Sequence, residues 1–214
     1  STRSMIEELA GHFAVCLDAS PDPERALNNL DRFIQSIGAR RFYYELLLDR
    51  PELVPRLSAL FAGSKYLSSY LASHPRLIEP VFADPNVLVL SKDELRADLA
   101  ATLGQAGEAE RDSVEYQLDA LRLFQHKQVV NVGLLDIGGE IDRAQAEAAL
   151  SEIAEVCLEG ALEIAKQQLA TRRAGVPAAA REGAYLVVGM GKLGSRELSY
   201  GSDLDLIFLF DVPA

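Results

Sequence analysis

The spacing of apolar residues changes once along this chain, and that change is the strongest constraint on its fold. From residue 2 to residue 171, apolar side chains such as Ile6, Leu9 and Phe13 recur at three- and four-residue intervals, which is typical of amphipathic α-helices. After residue 184 the apolar positions alternate with a period of two, which is typical of β-strands. The sequence therefore predicts a mainly α-helical protein with one small, incomplete sheet.

Proline and glycine residues divide the periodic region into separate helices, and Asp22 is predicted to cap the second of them. The predicted helices cover residues 2–17, 23–37, 42–49, 52–62, 64–73, 91–103, 110–135 and 143–171. The segment 172–183, which contains Gly175 and Pro177, is the clearest linker. The two predicted strands cover residues 184–190 and 203–210.

Charge and composition exclude some classes of partner. The net charge of −11 argues against binding to nucleic acid, because that affinity depends mainly on cationic side chains. No apolar run approaches the roughly 18–20 residues that a membrane span requires.

Cys16 and Cys157 are far apart and lie in helical patterns, so both are predicted to be free, buried thiols, as expected in a reducing cytoplasm.

Two aspartates in the second predicted strand provide the clearest chemical signal. Asp203 and Asp205 alternate with leucines, so both carboxylates are predicted to lie on one face of the strand, roughly 6–7 Å apart at the backbone. Such a pair can bind one hard cation, and magnesium prefers carboxylate and phosphate oxygens. The alternative is a solvated face of an edge strand. The apolar residues Ile207 and Leu209 on the same face, and the glycine-rich turn before the aspartates, favour the metal site.

That glycine-rich turn is a candidate phosphate site. Leu193, Gly194 and Ser195 follow the first predicted strand and are expected to precede a short helical segment. Glycine lets a phosphate approach the backbone closely, and the N–H groups at a helix start can donate to it. Lys192 is either a charge that contacts a triphosphate or a solvated surface lysine.

The same segment also matches the dinucleotide-binding fingerprint. Gly189, Gly191 and Gly194 form Gly-x-Gly-x-x-Gly after a strand, and Asp211 follows about 20 residues later. However, residues 195–202 are too few for the crossover helix that parallel strands require. The two strands are therefore predicted to be antiparallel or non-adjacent. A P-loop is excluded because the lysine is followed by leucine rather than Ser or Thr.

Taken together, the glycine-rich turn and the two aspartates form a sequence motif that resembles a known family. Residues 191–206, Gly-Lys-Leu-Gly-Ser-Arg-Glu-Leu-Ser-Tyr-Gly-Ser-Asp-Leu-Asp-Leu, resemble the glutamine synthetase adenylyltransferase family of DNA polymerase β-like nucleotidyltransferases. Ser195 stands where that family usually has a second glycine. Upstream, residues 118–137 resemble the helix before the family's catalytic core, and residues 33–80 resemble the helical region that joins its two homologous halves.

The resemblance implies three parts in this chain. Residues 1–108 would form a helical linker or interaction region, residues 109–176 a long-helix pair packed on the catalytic core, and residues 184–214 the beginning of an α+β nucleotidyltransferase domain. The joining region favours the half that adds AMP. The half that removes AMP by phosphorolysis, and a non-catalytic scaffold that couples signals, are the alternatives.

The implied reaction is transfer of AMP from ATP to a tyrosine hydroxyl of glutamine synthetase, with release of pyrophosphate. Asp203 and Asp205 would be catalytic and would hold Mg²⁺. The residues that would contact ATP are Lys192, Gly194, Ser195 and Ser202. The implied partners are glutamine synthetase, a PII-type nitrogen-signalling protein and glutamine as an effector, all in the cytoplasm. A third carboxylate of the superfamily is expected beyond Ala214, so the chain alone is expected to transfer no AMP.

Overall fold

The computed structural model describes residues 2–78, 81, 88–105, 113–171 and 185–210. In chain order its elements are α1 (Thr2–Asp18), α2 (Pro23–Ile37), α3 (Arg41–Asp49), α4 (Leu53–Gly63), α5 (Lys65–Ser73), a 3₁₀ turn (Pro75–Leu77), α6 (Lys92–Leu103), α7 (Val114–Ile137), α8 (Arg143–Thr171), β1 (Tyr185–Gly189), α9 (Gly191–Gly194) and β2 (Leu206–Phe210). The prediction of a mainly helical structure with one small sheet is confirmed.

Local capping signals explain why the helices begin where they do. The side chain of Asp22 accepts a hydrogen bond from the Arg25 N–H at 3.0 Å, as predicted for the start of α2. Ser91 and Glu94 form a reciprocal capping box at the start of α6. The predicted linker at residues 172–183 lies outside the described residues.

The chain forms two compact units. One lies within residues 1–88 and 130–142, and the other within residues 89–129 and 143–214. The boundary passes through α7, whose last part belongs to the first unit. The three-part division that the family resemblance implies stays a prediction.

The first unit is built around aromatic and aliphatic side chains of α2, α4 and α5. Phe33 and Phe61 are fully buried, and their ring centroids are 5.5 Å apart. Asn29 is also buried, and its side-chain amide donates to the Phe61 carbonyl oxygen at 2.8 Å, which satisfies its polar group. In α7, a Cβ atom added to Gly133 would clash with Leu67 Cδ1, so the absence of a side chain lets α7 pack closely on α5.

The second unit is organised around α8. A Cβ atom added to Gly160 would lie 2.9 Å from Leu99 Cδ2 and 3.2 Å from Leu121 Cδ1, so the missing side chain lets α6 and α7 approach α8. Ion pairs flank this contact, since Lys92 Nζ lies 2.8 Å from Glu155 Oε2 and Arg96 Nε lies 2.8 Å from Glu159 Oε2. Helix α8 therefore has packed neighbours on two sides.

The sheet of the second unit consists of β1 and β2, which pair antiparallel with Val187 opposite Phe208 and Gly189 opposite Leu206. Much of the apolar surface of the sheet is exposed to solvent, and the exposed fraction of Phe210 is 76%. A pair of strands is marginally stable in water by itself. Additional contacts come from α8, where Lys166 Nζ lies 4.9 Å from the centroid of the Tyr185 ring.

The two cysteines lie in different helices. Cys16 and Cys157 are free thiols in α1 and α8, as predicted, but both are half-buried rather than fully buried. Burial raises the pKa of the Cys157 thiol to about 12, so this thiol stays protonated at neutral pH.

Within the described residues, no helix combines the length and apolar composition needed to cross a bilayer.

Replacing Phe33 with alanine is expected to lower the free energy of unfolding by about 3–5 kcal/mol, because it leaves a cavity beside Phe61. The matched control is Leu27→Ala on the same helix, where the side chain is 57% exposed and a change within about 0.5 kcal/mol is expected. Urea unfolding followed by circular dichroism measures both. Equal losses in the two variants would contradict this account of the core.

Acid is expected to weaken the contact between α6 and α8. Hydrogen bonds from Arg96, and then from Lys92, lower the pKa of Glu159 from 4.5 to about 2. Because the folded-state pKa is depressed, the stabilisation is complete above the ordinary value and is lost as pH falls from 4.5 towards 2. The side chain is 44% exposed, so solvent screening limits the effect to about 1 kcal/mol or less.

This pH effect can be measured from melting temperatures at several pH values. Glu159→Gln should make the melting temperature less dependent on pH within the window from 4.5 to about 2. The matched control is Glu163→Gln on the next turn of α8, which should leave the ion pairs between α6 and α8 in place, since the nearest oxygen of Glu163 lies 3.9 Å from Lys166 Nζ of the same helix. An identical pH dependence in wild type and Glu159→Gln would contradict the assignment.

Candidate functional site

The segment between β1 and β2, here called the signature segment (residues 190–205), folds back within a short distance. Immediately after β1 the chain forms α9, a helix of four residues. The Met190 N–H then donates to the Asp205 carbonyl oxygen at 2.8 Å, which continues the pairing of the two strands by one bond. Both ends of the signature segment therefore meet at the same end of the sheet.

The structure corrects two sequence predictions about this segment. Strand β2 begins at Leu206, so Asp203 and Asp205 precede the strand instead of lying within it. The reason is that β1 ends at Gly189, the partner of Leu206, and the chain then turns into α9. No strand continues opposite the two aspartates within the described residues.

The second correction concerns the glycine-rich turn. Leu193, Gly194 and Ser195 end α9, whereas the sequence predicts that they precede a helix. The helix forms earlier because the Gly194 N–H donates to the Met190 carbonyl oxygen and the Ser195 N–H donates to the Gly191 carbonyl oxygen, both at 3.1 Å. Any phosphate near this turn would therefore meet the end of a helix and not its start.

Asp205 lies against the beginning of α9. A Cβ atom added to Gly191 would lie 2.6 Å from Asp205 Oδ2, and the backbone of Gly191 has a φ of +51°. Both facts favour glycine, since a side chain would be strained there and would displace the carboxylate. Asp203 and Asp205 are both exposed to solvent. The contact between Gly191 and Asp205 was missed by sequence reasoning, which treated Gly191 only as part of the dinucleotide fingerprint.

Gly194 has a packing role of its own. A Cβ atom added there would lie 2.6 Å from the carbonyl oxygen of Gly189, which belongs to the backbone of β1. Leu193, which is buried, packs over Gly189 from the same turn. The close approach of α9 to the end of β1 therefore depends on the absence of a side chain at position 194.

The polar residues predicted to contact ATP surround this turn and are exposed or half-exposed. Lys192 Nζ donates to Ser199 Oγ at 3.4 Å, and Ser199 Oγ lies 2.8 Å from Ser202 Oγ. The structure thus brings Lys192 and Ser202 to the same small cluster. The hydroxyl of Ser195 instead donates to Glu197 Oε2 at 3.0 Å.

The pairing direction of the strands decides between the two interpretations of the glycine motif. Since β1 and β2 are antiparallel neighbours, the prediction is confirmed and the dinucleotide-binding alternative is excluded, because that motif joins parallel strands through a helix.

Within the described part of the chain, no three His, Cys, Asp or Glu side chains are grouped closely enough to hold a metal ion. Asp203 and Asp205 therefore offer two carboxylates, oxygen ligands of the kind that magnesium prefers.

Comparison with known proteins assigns the motif to a family. The sequence pattern of glutamate-ammonia ligase adenylyltransferase matches residues 54–214, which include the complete signature segment. This chain belongs to the glutamate-ammonia ligase adenylyltransferase family. The resemblance inferred from the signature residues is thereby confirmed.

Curated relatives of this family are similar over almost the whole chain. It is 31% identical to the bifunctional glutamine synthetase adenylyltransferase/adenylyl-removing enzyme of Nitrosomonas europaea, over 98% of this chain and 22% of the relative. The enzyme of the same name from Thioalkalivibrio sulfidiphilus is 33% identical, over 98% of this chain and 22% of its own length. The one from Aromatoleum aromaticum is 32% identical, over 99% and 22%. The chain thus spans about a fifth of the length of these family members.

Substituting Gly194 tests the packing of the signature segment. Gly194→Ala is expected to loosen α9, because the added methyl group meets the backbone oxygen of Gly189 and overpacking typically costs about 1–3 kcal/mol. Hydrogen–deuterium exchange in peptides covering residues 185–210 should become faster. The control is Gly11→Ala in α1, where an added Cβ meets nothing within 4 Å and no loss is expected. Unchanged exchange in Gly194→Ala would show that α9 tolerates a side chain there.

Proposed function

We propose that this chain carries part of the site at which a protein adenylyltransferase transfers AMP from ATP to a tyrosine hydroxyl of glutamine synthetase. The observation that supports this most directly is the position of Asp205, whose carboxylate lies against Gly191 at the start of α9. Membership of the glutamate-ammonia ligase adenylyltransferase family supports the reaction class. Because the chain spans about a fifth of the length of its relatives, the activity is proposed for a full-length enzyme of this family.

In this proposal Asp203 and Asp205 hold magnesium. Their exposure leaves both carboxylates open to a cation and to a nucleotide, and their oxygen donors suit a hard ion. When bound, magnesium would supply positive charge beside the phosphate oxygens of ATP. The two aspartates would place that charge next to the turn formed by α9.

The residues proposed to contact the triphosphate are Lys192, Gly194, Ser195 and Ser202. Lys192 contributes a positive charge, and the serines contribute hydroxyl groups that can donate to phosphate oxygens. The present hydrogen bonds of Lys192 to Ser199 and of Ser195 to Glu197 join exposed groups, so exchanging them for contacts with phosphate requires little burial or desolvation. Gly194 would keep the turn free of a side chain on the approach to the phosphates.

The proposed transfer is an in-line displacement at the α-phosphorus. The tyrosine oxygen forms a new bond to that phosphorus, while the bond to the oxygen bridging towards the β-phosphate breaks and pyrophosphate leaves. The tyrosine proton passes to a base, for which the family resemblance implies a further carboxylate. In this chain, Asp203 and Asp205 would hold magnesium, and the turn with Lys192 would hold the phosphates of the nucleotide.

The adenylylating half is the better match for this chain, since residues 33–80 resemble the region that joins the two halves. The relatives' names include both the adding and the removing activity, so the AMP-removing half is the second candidate. The wider role proposed from the resemblance is cytoplasmic control of nitrogen assimilation, with a PII-type signalling protein and glutamine as regulators.

The test uses the full-length protein that contains this chain. Asp203→Asn combined with Asp205→Asn should lower transfer of labelled AMP to glutamine synthetase at least about 100-fold, because charge stabilisation at the reacting phosphate is lost. Helical circular dichroism should be unchanged, since both side chains are exposed. Phosphorolysis of adenylylated glutamine synthetase is measured in parallel, and a selective loss of that reaction would assign the chain to the AMP-removing half.

The matched control is Asp119→Asn in α7, an exposed aspartate that pairs with Arg122 on its own helix. This control should transfer AMP at the wild-type rate, because a surface pair within one helix contributes about 0.5 kcal/mol or less. If the double variant of Asp203 and Asp205 retained wild-type rates of both reactions, the proposed function would be refuted.

A further inference from the structure

The signature segment is tied to α8 by one ion pair that joins distant parts of the sequence. Arg196 Nη2 lies 2.7 Å from Glu152 Oε1, and the two residues are 44 positions apart. Arg196 immediately follows the turn that ends α9, and Glu152 lies in the first half of a helix of 29 residues. The ion pair thereby connects the turn after β1 to a long helix of the same unit.

Arg196 also has an unusual backbone conformation. Its φ of 59° lies in the left-handed region, which costs a residue other than glycine about 1–2 kcal/mol. Its N–H donates to the Leu193 carbonyl oxygen at 3.1 Å, and the next N–H, from Glu197, donates to the Lys192 carbonyl oxygen at 2.8 Å. The strained residue therefore closes the turn on which Lys192 and Ser195 lie. The two hydrogen bonds form a Schellman motif, a common way to end a helix, and they offset the cost of the left-handed conformation.

Apolar packing accounts for only part of what holds the turn of residues 192–195 in place. Leu193 and Leu198 are buried on either side of Arg196. Behind the turn, however, is a cavity of about 530 Å³ whose lining includes Gly194, Arg196 and Leu158 of α8. The Arg196–Glu152 pair is a direct contact between this turn and α8 in addition to the apolar packing.

The partner of Arg196 belongs to an acidic row on α8. Glu152, Glu155 and Glu159 are spaced by three and four residues, so they lie on one face of the helix. Glu155 and Glu159 bind Lys92 and Arg96 of α6. The same face of α8 therefore holds α6 through two of its acids and the signature segment through the third.

We propose that Arg196 and Glu152 are positioning residues for the nucleotide: their ion pair holds the turn of residues 192–195 in the orientation that receives the phosphates of ATP. This inference rests on the proposed function. The Arg196 and Glu152 side chains are 48% and 27% exposed, and pairs in such settings contribute little to global stability. The Arg196–Glu152 ion pair is therefore expected to act on the geometry of the turn, where small displacements strongly change reaction rates and substrate affinity.

Kinetics of the full-length protein distinguish positioning from general stability. Glu152→Lys should raise the KM for ATP about tenfold and leave the KM for glutamine synthetase unchanged, because only the nucleotide turn is displaced. A merely structural defect would lower the amount of active enzyme and leave both KM values unchanged. The charge-swapped double variant, Glu152→Lys with Arg196→Glu, should restore the KM for ATP. The control Glu163→Lys, at an exposed position of the same helix, should have no effect.

Hydrogen–deuterium exchange tests the same pair without relying on activity. Exchange in peptides covering residues 190–205 should become faster in Glu152→Lys, return to the wild-type rate in the charge-swapped variant, and be unchanged in Glu163→Lys. If Glu152→Lys lost helical circular dichroism, Arg196→Gln would take its place, because it removes the charge from an exposed side chain and leaves α8 intact.

The outcomes separate the two proposals. A wild-type protein that neither adds nor removes AMP refutes the proposed function, and the exchange measurement still decides whether the pair holds the turn. An active wild type in which Glu152→Lys and Arg196→Gln change neither the KM for ATP nor the exchange refutes the positioning role. Failure of the charge swap to restore either quantity also refutes it.

Discussion

The arrangement of the candidate site depends on the antiparallel pairing of β1 and β2. Gly189 pairs with Leu206, and the Met190 N–H extends the pairing to the Asp205 carbonyl oxygen. This register brings the second aspartate of the motif to the start of α9, although 14 residues separate Met190 from Asp205. A parallel arrangement would need a long crossover and would place Asp205 elsewhere. The short signature segment thus limits the strands to this pairing, and the pairing determines the position of Asp205.

The same geometry gives the glycines of the motif a structural reason. Gly191 makes room for the Asp205 carboxylate, and Gly194 makes room for the backbone of β1. From the sequence, glycine near a candidate phosphate site suggested close approach of a ligand to the backbone. The structure adds that both positions are crowded by the protein itself, so a substitution there would change the position of α9 or of the acid even without a nucleotide.

Helix α8 supports the site in two physically different ways. Its buried face, with Gly160 against Leu99 and Leu121, contributes apolar contact, which is the larger source of stability. Its acidic row contributes ion pairs that are partly exposed and therefore individually weak, but each connects α8 to a defined side chain of another element. Apolar packing thus accounts for the stability of the second unit, while the ion pairs specify how α6 and the signature segment are oriented against α8.

The approximate bounds of α1 to α8, the antiparallel strands and the family motif followed from the sequence by itself, because each depends on residues close together in the chain. Asp22 and Ser91 cap their own helices, and the short connection between the strands limits how they can pair. Where β2 begins was decided by the end of β1, its partner, so the alternating pattern at Asp203 and Asp205 was misleading. The crowding at Gly191 and the link from Arg196 to Glu152 were likewise decided only by the tertiary structure, since they join atoms that no local pattern relates.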